Sequence, residues 1–410
     1  MASLSNQRGE TTEAIQESIQ KYQSQLLDQA RRIHYQNPLS QATEKAYLET
    51  PRHAFVSRYR EWGTKEWHEI NADNLNEHLA MLYADRPLIL FGDDDENILS
   101  TISEPSFVLR MLDMLRLEPG HRVFELGAGS GWNAALLGNI VGPGGHVYSL
   151  EIIPELAKQA SEIINTLGIG RVSIIEADGG DGYAPGAPYD RAIFTAGTYD
   201  LPRHFYQQIK QDGLLLVVIK SEGGGDTLFI LKKVGEHFES TDSMQCGFVQ
   251  MVGKYHLDSL EPMYLETMPE WAALENRERS RTHFWWGGKG KDDFIWRTLG
   301  VQSFLGIIEP HFQAFKTKKT KDKPYEEHYF GLWDKLGGSL VIAKDDYLIS
   351  YGSLAEKEHL VQDIVQWVNL GMPTTASLTL HVYPIDFPLT ASANQWLVKR
   401  AESQFLWSLG

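Results

Sequence analysis

Cysteine is almost missing from this chain. A single one, Cys246, stands among 410 residues, so no internal disulfide can form and a reducing compartment is expected. Positive charge is scarce as well: 38 lysines and arginines face 54 aspartates and glutamates, for a net charge of −16. Non-specific nucleic-acid binding needs a basic face, and this balance argues against it. No run of ~18 apolar residues is present to span a membrane. No apolar stretch behind a basic start marks a secretory signal. A cytoplasmic protein without a membrane partner is expected. The 14 histidines are scattered without metal-ligand spacing, and no metal is expected. Core material, by contrast, is plentiful. Hydrophobic residues make up 42% of a length greater than one usual domain, so two domains are expected.

The most informative segment is Val123-Phe124-Glu125-Leu126-Gly127-Ala128-Gly129-Ser130-Gly131. A short apolar run ends in an acid and gives way to three glycines. The helix-like Trp132-Asn133-Ala134-Ala135-Leu136-Leu137 follows. This reads as a strand, a tight turn and a helix N-terminus. Glycine suits a backbone that takes positive φ or lies flat against a ligand. The spacing Glu-x-Gly-x-Gly-x-Gly departs by one residue from the pyrophosphate-binding Gly-x-Gly-x-x-Gly. A carboxylate at Glu125 repels a diphosphate but suits the ammonium of an amino-acid moiety. The ligand expected here is S-adenosyl-L-methionine, leaving S-adenosyl-L-homocysteine as product. A merely structural glycine turn is the competing reading.

The strands that follow fit the same ligand. His146–Glu151 is a second strand ending in an acid, and Glu151 lies twenty residues after Gly131. A doubly wound fold places its ribose-binding carboxylate at that distance. A third strand, Val172–Ile175, runs into Glu176-Ala177-Asp178-Gly179-Gly180, where Asp178 is placed for the adenine amino group. Strands at Arg191–Gly197, which includes Thr195, and at Leu214–Ile219 complete the set. Intervening segments such as Pro154–Leu167 carry helical apolar spacing. The expected fold is α/β, with a doubly wound, mainly parallel sheet whose ligands sit at the carboxyl ends of its strands. The expected cofactor-binding residues are Glu125, Gly127, Gly129, Ser130, Gly131, Glu151, Asp178, Gly179 and Thr195.

Residues from about 25 to 255 resemble the protein-L-isoaspartate O-methyltransferases. The resemblance rests on Thr50-Pro51-Arg52-His53-Ala54-Phe55-Val56, on Tyr83-Ala84-Asp85-Arg86-Pro87-Leu88 and above all on Thr101-Ile102-Ser103-Glu104-Pro105. Leu117 to Val123, Tyr148 to Glu151, Ala187 to Asp190 and Asp212-Gly213 add to it. The resemblance implies that Ser103 contacts the substrate carboxylate, and that Thr101 and Ile102 shape the same loop. Ser103 and Thr101 are therefore the candidate catalytic residues. The chain departs from the pattern in two places: Glu104 stands where the family often has Gln or Ala and Ser106 where it has an aromatic residue or His, and the usual Gly-Thr-Gly-Ser-Gly-Tyr reads Gly-Ala-Gly-Ser-Gly-Trp.

The chemistry asks for few groups. A carboxylate, with a pKa of about 4, is already a nucleophile at neutral pH, and no general base is needed. The enzyme must align oxygen, methyl carbon and sulfur and exclude water. Hydroxyls around the carboxylate suffice, with Thr101, Ser103 and Thr195 as candidates.

The rest of the chain reads coarsely. Residues 1–12 are polar and expected to be disordered, and 13–34 read as an amphipathic helix. The methyltransferase domain is placed at 13–255. Trp62 to Leu82 reads as an added packing element around Trp62, Trp67, Leu75, Leu79 and Leu82. Asp93-Asp94-Asp95-Glu96 reads as a solvated acidic loop, and Gly223-Gly224-Gly225 as a flexible turn. A linker at 256–300 contains Trp285-Trp286-Gly287-Gly288, which either clamps a peptide or packs the domains together. Residues 301–410 read as a smaller α+β domain. Its strands are expected near Gly338–Ala343, Tyr347–Gly352 and Leu378–Pro384, and its helices at Ala355–Leu370 and Ala391–Phe405. Leu360, Ile364, Val365 and Val368 are expected on one face of the first helix. Lys316 to Lys321 reads as a solvated basic loop.

Family members with such extensions resemble tailoring enzymes of ribosomally made, modified peptides. The resemblance implies methylation of an aspartate side chain in a peptide, followed by collapse to an aspartimide. The alternative is methylation of isoaspartyl residues in damaged proteins. A third reading is a non-catalytic scaffold that senses adenosylmethionine. The intact glycine turn, Glu151 and the Thr-Ile-Ser segment argue against it.

Overall fold

The computed structural model describes residues 2–92, 98–221, 226–257, 260, 262–268, 270–284, 291–318, 326–344 and 346–409. The acidic loop, the triple glycine, the tryptophan pair and Lys319 to Lys321 lie outside the described residues. Two compact units are present. The first comprises 1–196, 204–217 and 249–254; the second comprises 197–203, 218–248 and 255–410. The boundary thus differs from a single division near 255, because the segment 218–248 belongs with the carboxyl-terminal unit.

The first unit begins with helices α1 (Ala2–Ile33) and α2 (Gln41–Glu49). Helix α1 starts at Ala2, which corrects the expectation of a disordered start. No proline interrupts residues 2–12, and extending an existing helix adds one hydrogen bond per residue fixed. A small antiparallel sheet follows, in the order β2-β1-β3-β4. Its strands are β1 (Arg58–Arg60), β2 (Trp67–Glu69), β3 (Leu88–Gly92) and β4 (Ile98–Ile102). Helix α3 (Leu75–Leu82) buries Leu79 and Leu82. Trp62 remains exposed rather than packed, whereas Trp67 lies under the Arg58 guanidinium at 4.0 Å.

Strand β4 leads through Ser103 into helix α4 (Pro105–Met114), which buries Val108, Leu109, Met111 and Leu112. The main sheet then forms from β5 (Arg122–Leu126), β6 (His146–Glu151), β7 (Val172–Glu176), β8 (Tyr189–Phe194) and β9 (Ile209–Ile219). Within this unit the strand order is β7-β6-β5-β8-β9, and every pairing is parallel. Helices α5 (Trp132–Val141) and α6 (Pro154–Thr166) make the first two crossovers, and the short α7 (Phe205–Gln208) precedes β9. Strand order reverses between β5 and β8. In a doubly wound sheet that switch point, at the carboxyl ends of the strands, is where ligands bind.

The second unit holds β10 (Asp226–Val234), β11 (His237–Cys246), β18 (Leu378–Pro384), β19 (Gln395–Lys399) and β20 (Ser403–Leu409), joined in the order β10-β11-β18-β20-β19. Its other sheet has the order β12-β14-β15-β16-β17-β13. Those strands are β12 (Met263–Tyr264), β13 (Glu278–His283), β14 (Phe312–Lys316), β15 (His328–Asp334), β16 (Ser339–Lys344) and β17 (Tyr347–Tyr351). The unit's helices are α8 (Trp271–Leu274), α9 (Lys291–Ile308) and α10 (Ala355–Asn369). Leu360, Ile364 and Trp367 of α10 pack with Val301, Phe304 and Leu332 in a core cluster. Val365 and Val368 are half exposed instead, so the buried face of α10 runs through Leu360, Asp363, Ile364 and Trp367.

The stretch expected as a helix at Ala391–Phe405 is the hairpin β19–β20. Pairing of Leu378 to Pro384 with Ser403 to Leu409 decides the conformation against local helix propensity. Among the described residues, no helix is long and apolar enough to cross a membrane.

Candidate active site

A cavity of about 100 Å³, open to solvent, sits at the switch point of the first unit. Its floor is the glycine turn. Gly127, Gly129 and Gly131 have φ of 89°, 52° and 83°, a region L side chains avoid. Space is equally restrictive. A Cβ on Gly127 would stand 2.5 Å from the Thr195 hydroxyl, and one on Gly131 would stand 3.1 Å from Ala160 of α6. The turn is fixed by the Gly127 and Ala128 N–H groups, which donate to the Leu150 carbonyl at 2.8 and 3.0 Å. The Thr195 hydroxyl reaches the Leu126 and Gly127 carbonyls at 2.9 and 2.6 Å.

Two carboxylates border this turn. Glu151 ends β6 and is only 5% exposed. It accepts from the Gly129 N–H at 2.8 Å and from the Ile153 N–H at 3.0 Å. Burial pushes its carboxyl above the usual range, against the pull of those N–H groups. Each of its oxygens retains a second lone pair for a ligand hydroxyl. Asp178 follows β7 and accepts from the Gly180 N–H at 2.8 Å and from the Lys254 N–H at 3.2 Å. That second bond draws the segment 249–254 to the cavity, where Val249, Gln250, Met251 and Val252 form part of its wall.

Opposite the turn lie Ser100, Thr101 and Ser103. The Thr101 and Ser103 hydroxyls have no hydrogen-bond partner among the described residues. The backbone of Ile102 and Ser103 is held by Arg52, which is fully buried. Its guanidinium donates to the carbonyls of Leu82 at 2.9 Å, Ser103 at 2.8 Å, Ile102 at 3.3 Å and Arg86 at 3.3 Å. It also stacks 4.9 Å from the ring of Trp132, the first residue of α5. The Trp132 indole N–H in turn donates to the Thr50 carbonyl at 3.1 Å. One buried cation therefore links the Ile102-Ser103 segment to helix α5, which follows the glycine turn. Burial pulls its pKa down to about 9, which still leaves it charged at neutral pH.

Of the residues expected from sequence, Thr101, Ser103, Gly127, Gly129, Ser130, Glu151, Asp178, Gly179 and Thr195 line the cavity together. Gly131 does not; it caps α5 and lets that helix approach Ala160. Glu125 is a correction. It is fully buried beneath the cavity wall, accepting from Ser149 at 2.5 Å and from Asn133 at 2.6 Å. Burial pushes its carboxyl up to about 7. Its contribution is to orient Asn133, which does line the cavity. Glu104, the departure from the family pattern, also stays off the cavity wall; its carboxylate accepts from Ser106 at 3.3 Å. Burial and the charge of Asp85 push its carboxyl above the usual range. Sequence reasoning missed Asn133, the 249–252 wall and the role of Arg52. Only Arg52 had a signal, its place in the Thr-Pro-Arg-His segment.

The parallel sheet, its strand order and the glycine turn define a Rossmann-like class I S-adenosylmethionine-dependent methyltransferase. The family model for protein-L-isoaspartate(D-aspartate) O-methyltransferase matches residues 21–256. The chain belongs to that family, and it is an S-adenosylmethionine-dependent protein carboxyl O-methyltransferase. A protein-L-isoaspartate O-methyltransferase of Ignicoccus hospitalis is 36% identical over 172 residues, 42% of this chain and 79% of that protein. Protein-L-isoaspartate O-methyltransferase 1 of Archaeoglobus fulgidus is 35% identical over 237 residues, 57% of this chain and 95% of that protein. A solved structure named protein-L-isoaspartate O-methyltransferase matches with a TM-score of 0.51 at 22% identity, covering 88% of this chain and 96% of its own.

The residues present fit the cofactor. The turn's positive-φ glycines leave a bare backbone cradle, and the buried Glu151 offers acceptors beside it. When bound, S-adenosylmethionine supplies a methyl group on a positively charged sulfur that is its own leaving group.

Proposed function

We propose that this enzyme methylates the carboxylate of L-isoaspartyl residues in proteins and peptides. The observation that carries the reading is the pair of unbonded hydroxyls, Thr101 and Ser103, facing the glycine turn across one cavity. The carboxylate needs no activation, since its pKa of about 4 leaves it ionised at neutral pH. Ser103 and Thr101 hold and aim it, Glu151 takes the ribose hydroxyls and Asp178 the adenine. The wall at 249–252 excludes water. The ester formed then loses methanol as the next backbone N–H attacks, giving a succinimide.

The named relatives support this reading over a dedicated modified peptide. An extension does not by itself call for a dedicated precursor. The solved structure that carries the isoaspartate name covers more of this chain than residues 21–256 account for. The single cysteine favours a cytoplasmic setting.

Ser103→Ala tests the assignment. It removes one hydrogen bond to a charged group, about 1.5–3 kcal/mol, so kcat/KM on an isoaspartyl peptide should fall roughly 10- to 100-fold. Affinity for S-adenosylhomocysteine, read by calorimetry, should hold. Lost cofactor affinity with intact peptide kinetics would place Ser103 in the other half of the cavity.

A further inference from the structure

The second unit contains a side-chain cluster unrelated to methyl transfer. Glu309 follows α9, and His311 precedes β14 two residues later. Helix α10 faces them with Glu356, His359 and Asp363, spaced i, i+3 and i+7 and therefore on one side of the helix. His311 Nδ1 lies 3.1 Å from a Glu356 oxygen, and His359 Nε2 lies 3.2 Å from a Glu309 oxygen. The donor atoms of Glu309, His311 and His359 all lie within 4.8 Å of one another. The other Glu309 oxygen accepts the His311 backbone N–H at 2.8 Å, which fixes the carboxylate's orientation.

Charge is what sets this cluster apart. Glu309, Glu356 and Asp363 are 8%, 5% and 8% exposed. Among the described residues, no lysine or arginine pairs with any of them. Asp363 lies against Glu309 with its Oδ2 buried and unpartnered. Buried carboxylates ordinarily require a cation or a full set of hydrogen bonds. Two imidazoles at the rim supply only partial compensation, since each is about half exposed to solvent.

We propose that Glu309, His311, Glu356 and His359 bind one divalent zinc-class ion, which ties the α9–β14 corner to helix α10. Two imidazoles with carboxylates favour zinc over calcium or magnesium, which take oxygen ligands. Zinc bonds of about 2.0–2.2 Å require Glu309, His311 and His359, whose donor atoms lie within 4.8 Å of one another, to close in, and Glu356, 3.1 Å from His311, to turn toward the same ion; rotation of the two half-exposed imidazoles provides part of that movement. Asp363 then acts behind the ligands, where its charge is balanced. The spacing escaped sequence reading because the ligands come in two groups, Glu-x-His and Glu-x-x-His, more than forty residues apart.

The test uses the full-length chain, stripped with chelator and titrated with Zn²⁺. One ion per chain should bind at submicromolar affinity and raise the melting temperature. X-ray absorption at the zinc edge of the unmutated protein should show two imidazole ligands with oxygen donors. His311→Gln with His359→Gln should weaken binding at least 100-fold, while metal-free melting stays within a few degrees. His237→Gln with His381→Gln removes the second His-Glu-His grouping, that of His237, Glu239 and His381, and should leave binding unchanged. No binding above the millimolar range, or binding lost only with the His237 and His381 pair, would overturn the proposal. If the His311 and His359 variant melts far lower without metal, the absorption spectrum of the unmutated chain decides. Absence of imidazole in that spectrum refutes the site.

Discussion

Arg52→Met isolates the link between the two halves of the active cavity. Methionine fills similar space but donates no hydrogen bond. The substitution leaves the Leu82, Ser103, Ile102 and Arg86 carbonyls without the donor that serves them now. At about 1 kcal/mol net per bond, the four bonds amount to roughly 4 kcal/mol. A unit of this size shifts its melting temperature by about 2–4 °C per kcal/mol, so a fall of roughly 10 °C is expected. Urea unfolding followed by tryptophan fluorescence reads the change, since Trp132 is buried against Arg52. Below the transition the variant should still bind S-adenosylhomocysteine, while turnover on an isoaspartyl peptide falls because the Ser103 backbone is no longer held. Arg52→Lys should recover part of the stability but not the full set, because an ammonium does not match the guanidinium fork. A variant within about 1 kcal/mol of the parent and with normal turnover would refute the role assigned to Arg52.

Two further outcomes follow from the carboxylates. Glu125 has a folded pKa of about 7, raised by burial from 4.5, so the folded chain holds its proton more tightly than the unfolded chain. Its contribution to stability is full below about pH 4.5 and is lost as pH rises through about 7, up to about 3 kcal/mol. Glu125→Gln should abolish that slope in urea midpoints measured from pH 5 to 8; an unchanged slope would assign it to another group. Glu151→Ala should weaken S-adenosylmethionine binding by about 1–3 kcal/mol, and calorimetry showing wild-type affinity would remove Glu151 from the ribose site.

The glycine turn was legible because three constraints coincide in one short segment: an apolar strand, positive-φ residues and a helix start. Strand-end acids were legible as positions but not as directions. Glu125 shows why. It pairs in register with Ser149 of β6, and its side chain passes to the α5 side, toward Asn133, rather than into the cavity. In a parallel sheet buried on both faces, the sequence carries no alternation that separates those faces. Arg52 stood out as a position in the Thr-Pro-Arg-His segment, but its role was opaque, since its partners are backbone carbonyls contributed by residues 30 to 51 positions away. The hairpin β19–β20 was misread because its partner, β18, supplies the pairing that local composition does not indicate. The His and Glu cluster of the second unit failed for the same reason, as its halves meet only when α10 packs beside the α9–β14 corner.

The most direct measurement offers the enzyme two otherwise identical linear peptides, one with L-isoaspartate and one with L-aspartate, together with methyl-labelled S-adenosylmethionine. Label should enter the isoaspartyl peptide as a base-labile ester, and none should enter the aspartyl peptide. Methylation of the aspartyl peptide, or of neither while the cofactor still binds, would contradict the proposed function.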